Sequence, residues 1–350
     1  MADRHASTFL ASLRELTLAR IREFLREPEA VFWVFGFPVI MTIALGIAFR
    51  SRTDEPVIVA VERVAGADAV LAALEAAGGF VVRDVPVSGV ERALRDGIVQ
   101  VVIVPGTPAT YRFDPARAES QVARLAVDRV LQQAAGRRDA FTPREDAVRA
   151  VGSRYIDWLV PGLLGMNIMG TGMWSTSFAI VTARTRKLLK RFAATPMPRA
   201  AYLAALIGSR LAFLVLEGVV LVAFAWLSFD VVVYGSLVAL AVVSLLGALS
   251  FGGIALLVAS RAKTVEGVSG LLNLVMLPMW VFSGVFFAAS NFPAAMQPFV
   301  QALPLTALND ALRGVMNDGA TLASLWQELA LLAAWGGVSF AAALRLFRWS

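Results

Sequence analysis

The chain has no cysteine and a single histidine, His5. Disulfides and thiolate metal sites are therefore excluded, and no histidine cluster can form. Lysine is nearly as scarce: Lys187, Lys190 and Lys263 stand against 29 arginines. None of the three follows a glycine-rich loop, so the Walker sequence that cradles nucleotide phosphates is absent, and the chain cannot itself supply that route to ATP hydrolysis. Charge is low overall, at 17% of residues, where soluble domains carry about a quarter. What is abundant is apolar: 58% of the 350 residues are hydrophobic and the mean hydropathy is +0.68. This is the composition of a polytopic membrane protein. The net charge of +6 does not indicate nucleic acid, because the basic residues sort onto loops.

Six apolar runs are long enough to be membrane-spanning helices. They are Val31–Phe49, with Pro38 expected to kink it, then about Asp157–Thr182, Ala204–Phe229, Val231–Ala259, Val268–Ala289 and Leu325–Leu344. Before the first, residues 1–30 hold an apolar stripe (Leu10, Leu13, Thr17, Ile21, Phe24) with Arg14, Arg22 and Arg26 off it, which predicts an amphipathic helix on the membrane surface. The linker 290–324 carries Pro293, Pro298 and Pro304 and is expected to form a re-entrant element covered by protein.

Residues 50–154 differ sharply, holding 15 of the 32 basic and 14 of the 26 acidic residues. Strand-like and helix-like stretches alternate there: VIVAVE, ADAVLAALEAAGG, FVVRDVPV, GVERALRDG, IVQVVIVP, ATYRFD and a long helix over Ala116–Ala135. The pattern predicts a small α/β domain. Its acids form no catalytic cluster and read as solvated surface.

Basic residues in the short loops set the orientation. Five precede the first span, six lie in 183–203, Arg261 and Lys263 follow the fourth span, and Arg345 and Arg348 follow the sixth. The opposite short loops offer only Arg313. Both termini are therefore expected to be cytoplasmic and residues 50–154 extracytoplasmic.

The segment 184–198, RTRKLLKRFAATPMP, is basic, contains no acid, and places Leu188, Leu189 and Phe192 at helical spacing before Pro196 and Pro198 end the helix. It suits a docking helix at the membrane surface; a lipid-contacting topology anchor is the alternative. In the third span Arg210 and Glu217 are two turns apart, about 10 Å along the axis, and pair only if the arginine reaches along the helix. A buried intramembrane acid is a functional candidate, and bonding of Glu217 to a neighbouring helix is the plainer alternative.

RKLLKRFAATPMPRAAYLAA (186–205) and FSGVFFAASNFPAAMQPFVQALPLTALNDALRGV (282–315) together resemble the membrane subunit of ABC-2 type (type V) exporters, the group with daunorubicin-resistance-type drug permeases and polysaccharide and lipid exporters. The family often has a glutamate just before the basic segment, where this chain reads Thr182-Ala183-Arg184. The resemblance implies two permease copies and a separate ATPase subunit carrying ATP and Mg, with no cofactor in this chain. It implies coupling to that ATPase through Arg184, Arg186, Lys187, Leu188, Leu189, Arg191, Phe192, Thr195 and Pro196. It also implies a substrate path at the dimer centre, for which Met166, Asn167, Met173, Trp174, Glu217, Asn273, Met276, Trp280 and Phe286 are the candidates. Flexible thioethers and large rings suit an adaptable apolar site, though helix packing accounts for many of them.

The expectation is a six-helix permease of an ATP-driven exporter in a bacterial inner membrane, in contact with lipid and not nucleic acid, moving an amphipathic or apolar cargo. Two rivals remain: a receptor whose external domain senses a ligand, and a proton-coupled secondary transporter using Glu217.

Overall fold

A computed structural model describes residues 22, 26–49, 56–83, 85–86, 89–138, 141, 152, 154–185 and 199–346, with the backbone alone at 30 and 199–209. The predicted surface helix before Glu27 and the segment 186–198 lie outside these residues, apart from Arg22 and Arg26. The chain divides into two compact units: residues 52–148 form one, and 1–51 with 149–350 the other.

The smaller unit is built on a four-stranded sheet of β1 (Val57–Val61), β2 (Phe80–Arg83), β3 (Val101–Val104) and β4 (Thr110–Phe113), in the order β2-β1-β3-β4. β1 runs parallel to β2 and β3, and β4 is antiparallel to β3. Alternation sorts the side chains. Val59, Val61, Val101 and Ile103 face a core completed by α2 (Ala67–Ala77) and α4 (Ala118–Ala134). Ala60 and Val102 face the short α3 (Val90–Arg95). The strands are shorter than the apolar stretches suggested.

The larger unit is helical. α1 runs from Pro28 through a π-helical turn, Phe32–Gly36, to Ala48. Then come α5 (Tyr155–Thr185), α6 (Arg199–Phe229), α7 (Leu237–Arg261) and α8 (Val265–Phe282). Two 3-10 turns, Ala289–Asn291 and Ala294–Met296, lead to α9 (Gln297–Ala302), α10 (Pro304–Met316) and α11 (Trp326–Leu346). Among the described residues four helices are long and apolar enough to cross a membrane: the Arg210–Phe229 part of α6, α7, α8 and α11; Phe32–Ala48 is a shorter apolar helix. α5, at 31 residues, is about 46 Å long.

Local chemistry explains where these helices differ from the apolar runs. The fifth run extends to Ala289, but α8 stops at Phe282 because Gly284 takes φ +71°, a left-handed conformation that ends helices. The fourth run begins at Val231, yet α7 starts at Leu237. Asp230 at φ +54° turns the chain, and Ser236 caps α7 by accepting from the Val238 N–H.

α5 is the hub, packing against α1, α6, α7, α8 and α10. α10 is buried along almost its whole length, from Pro304 to Met316 with Asp310 the exception. Its sequence is too polar to be a span, and a helix of this kind inside a membrane protein must be covered by its neighbours. Glycines let α5 and α10 approach: a Cβ at Gly162 would lie 3.1 Å from Arg313 Nη2, and one at Gly165 would collide with Asn309 Oδ1.

Candidate functional site

Most of the polar chemistry of the helical unit is at two places along α5. The first joins α5 to α6. Arg210 reaches along its own helix to Glu217, with Nη1 3.3 Å from Oε1. Its Nη2 donates to Thr171 Oγ1 at 2.7 Å and to Ile168 O at 3.3 Å on α5. The Thr171 hydroxyl lies 3.0 Å from Glu217 Oε2 and 2.7 Å from Asn167 O, so its one proton serves either acceptor. Glu217 is 2% exposed. An acid paired in this way has its charge compensated where it sits, and the cluster ties two helices together.

The second place is the end of the bundle where α5 begins. Arg154 forks onto Asp157, with Nη2 to Oδ1 at 2.7 Å and Nε to Oδ2 at 2.9 Å, and Nη1 donates to Phe229 O at 2.9 Å. A planar guanidinium is suited to such bidentate contact. It thereby joins the start of α5 to the end of α6. Arg313, 6% exposed, stacks its guanidinium 3.5 Å above the Trp158 ring, reaches Asp310 Oδ1 at 3.4 Å and bonds Gly284 O through Nη2. Asn309 Nδ2 donates to Ser283 O at 2.9 Å, and the Tyr155 hydroxyl to Phe286 O at 3.1 Å. The turn after α8 is thus held through its backbone carbonyls by α5 and α10.

Two asparagines do a related task. Pro161 has no N–H, which leaves the carbonyl four residues earlier without its helical partner, and Pro38 removes a donor just after the π-helical turn that contains Val34. Asn167 Nδ2 donates to Val34 O at 3.1 Å, and Asn317 Nδ2 to Asp157 O at 3.0 Å. Membrane helices tolerate proline where neighbours satisfy the freed carbonyl.

The predicted path residues separate on this framework. Met166, Met173 and Met276 are buried in the protein's own core, with Trp174, Trp280 and Phe286 packed partly buried against it. Asn167 commits its amide to α1. Asn273 on α8 is exposed. Of the predicted coupling residues, Arg184 is described: its Nη1 donates to Ala259 O and Ala262 O at 3.3 and 2.9 Å, capping the end of α7. Arg186, Lys187, Leu188, Leu189, Arg191, Phe192, Thr195 and Pro196 lie outside the described residues. Thr171, Asn309 and Asn317 were not singled out by sequence reasoning. An interior proline signals an orphaned carbonyl, but nothing local names its donor. Among the described residues no group of acids and histidines could hold a metal.

A family model described as ABC-2 type transporter matches residues 121–317, from within α4 to the end of α10. A comparison with curated proteins finds no match. The matched residues include the α5 hub, the Arg210–Glu217 cluster and the α10 contacts, and among the described residues four helices have the length and apolarity of membrane spans. The chain belongs to the ABC-2 type transporter family, as a multi-pass membrane component.

Proposed function

We propose that the chain is the permease subunit of an ATP-driven exporter that moves an amphipathic or apolar cargo, such as a drug, lipid or glycolipid, out of the cytoplasm or the inner leaflet of a bacterial inner membrane. The observation that carries the reading is the ABC-2 match over residues 121–317, which takes in α5 to α10, in a chain that has no phosphate-binding loop of its own. The family implies an ATPase partner, and ATP with Mg would be held there. The loop charges favour an arrangement with six spans (α1, α5, α6, α7, α8, α11), both termini inside and residues 50–154 outside.

In this scheme two copies assemble with two ATPase subunits. Closure of the ATPases presses on residues 184–196, between α5 and α6. The Arg210 cluster and the Arg154 fork join those two helices at separate heights, so the push tilts them together. Arg184, bonded to the end of α7, carries part of the motion to the next helix. The path lies between the copies, lined by exposed groups such as Asn273 and shaped from behind by the buried methionines. The network around Arg313 and Gly284 shapes its outer end, and the α/β unit guides release.

The test is substitution of Leu188, Leu189 and Phe192 by Asp, read as ATP hydrolysis by the complex co-expressed with its nucleotide-binding subunit. Loss of coupled hydrolysis with assembly retained is expected; unchanged hydrolysis refutes the docking role. The receptor alternative predicts that no nucleotide-binding chain co-purifies. The proton-coupled alternative predicts transport that follows a pH gradient without ATP.

A further inference from the structure

Asn317 fills a vacancy that Pro161 creates. The carbonyl of Asp157 would receive the N–H of residue 161 in an unbroken helix, and proline has none to give. The replacement bond, 3.0 Å from Asn317 Nδ2, comes from outside the helix, from the residue that caps α10. Sharp bends in helices occur at such positions. The residue after the proline is Gly162, packed so closely under the turn after α8 that a Cβ there would lie 2.7 Å from Val285 O.

The two partners are not equally free to move. Asn317 is fixed by its surroundings: its own N–H bonds Arg313 O at 2.7 Å, the neighbouring Met316 O accepts from the Tyr234 N–H at 2.9 Å, and Ala320 N–H bonds Gly314 O at 2.8 Å. The beginning of α5 lacks one internal bond where it meets the rest of the helix. If the Asn317 bond is released, the element that can swing is the stretch of α5 before Pro161. With Arg154 just before it, that stretch carries Trp158 and Tyr155; these three contact α6, α10 and the turn after α8 respectively.

We infer that Pro161 is a joint in α5 and that Asn317 is a positioning residue, holding the joint in this state and releasing it during transport. The inference rests on the reading of the chain as the path of an ATP-driven exporter. It differs from a purely structural role in one respect. A structural bond needs only that the Asp157 carbonyl be satisfied, from any source. A joint needs the bond to come from a partner that can let go.

The absence of native cysteine makes the test direct. Leu159 is fully buried on the mobile side of the joint. A Leu159→Cys chain, co-reconstituted with its ATPase subunit in liposomes, is treated with a membrane-impermeant maleimide with and without Mg-ATP. Labelling is expected to rise several-fold with Mg-ATP. Adding Pro161→Ala, which restores the helical N–H, is expected to abolish the rise while leaving the complex at least as heat-stable. Adding Asn317→Leu instead is expected to give fast labelling even without nucleotide. Equal acceleration in the Pro161→Ala chain, or none in Leu159→Cys while the complex hydrolyses ATP, overturns the joint but not the export reading. A wild-type complex that hydrolyses no ATP overturns both. If Pro161→Ala does not assemble, Asn317→Leu decides: slow labelling without nucleotide refutes the inference.

Discussion

Arg210→Met is the most informative single substitution at the α5–α6 cluster. It removes the 3.3 Å pairing with Glu217 and the bonds to Thr171 and Ile168 O, while keeping much of the side chain's apolar bulk. Glu217, buried to 2% exposure, is left with Thr171 as partner. Breaking a buried pair from one side costs about 3–5 kcal/mol, mainly because a charge is stranded. Interhelical hydrogen bonds in membranes contribute less, about 0.6 kcal/mol on average and up to about 1.7. The stranded charge should therefore dominate. Replacing both residues, Arg210→Met with Glu217→Leu, removes that term and should cost about 1 kcal/mol, the scale of the lost bonds. The measurement is a double-mutant cycle on SDS-induced unfolding in mixed micelles, followed by tryptophan fluorescence. A double variant more stable than Arg210→Met alone is expected. If the double is as unstable as the single, or worse, the cluster is not a compensated pair and the argument fails. ATP-coupled activity separates the roles further: a clamp tolerates the double substitution in part, whereas a proton carrier does not survive loss of Glu217.

Two further outcomes follow from local geometry. Gly165→Ala should destabilise by about 1–3 kcal/mol, since its Cβ collides with Asn309 Oδ1. Gly170→Ala, whose Cβ would meet only Met276 Cε at 3.9 Å, is the control and should be close to neutral in the same unfolding assay. In the α/β unit, burial first, and then the bond to Asp128 Oδ1, raise the Tyr111 phenol above its ordinary value. A raised acid binds its proton more tightly folded than unfolded, so its contribution is complete below about pH 10 and declines as pH rises through the folded value. Thermal melts across that alkaline range should fall less steeply in Tyr111→Phe, and identical slopes would contradict the assignment.

Much of the helical framework is legible in the amino-acid sequence. The apolar runs place α1, α5, α6, α7, α8 and α11, with ends off by up to seven residues at α7 and α8, because a helix in lipid must satisfy its own backbone and keep an apolar surface over its whole length. The alternation in 57–113 gives the strands of the α/β unit for a similar local reason. α10 is different. LTALNDALRG has the polarity of a linker, and its burial depends on Gly162 and Gly165 of a helix some 140 residues earlier.

The site follows the same division. Composition alone determined that this chain is membrane-embedded and lacks thiol chemistry, because those depend only on which residues are present, and the residues that precede its three lysines determined that it has no phosphate loop. Proline positions alone determined which helices would carry an unsatisfied carbonyl. Only the tertiary structure decided that Asn167 and Asn317 supply the missing donors, that Arg210 bends toward Glu217 while bonding α5, and that Arg184 caps α7. A vacancy in a helix is local, but its filling is a contact between distant segments, and that is settled by how the helices pack.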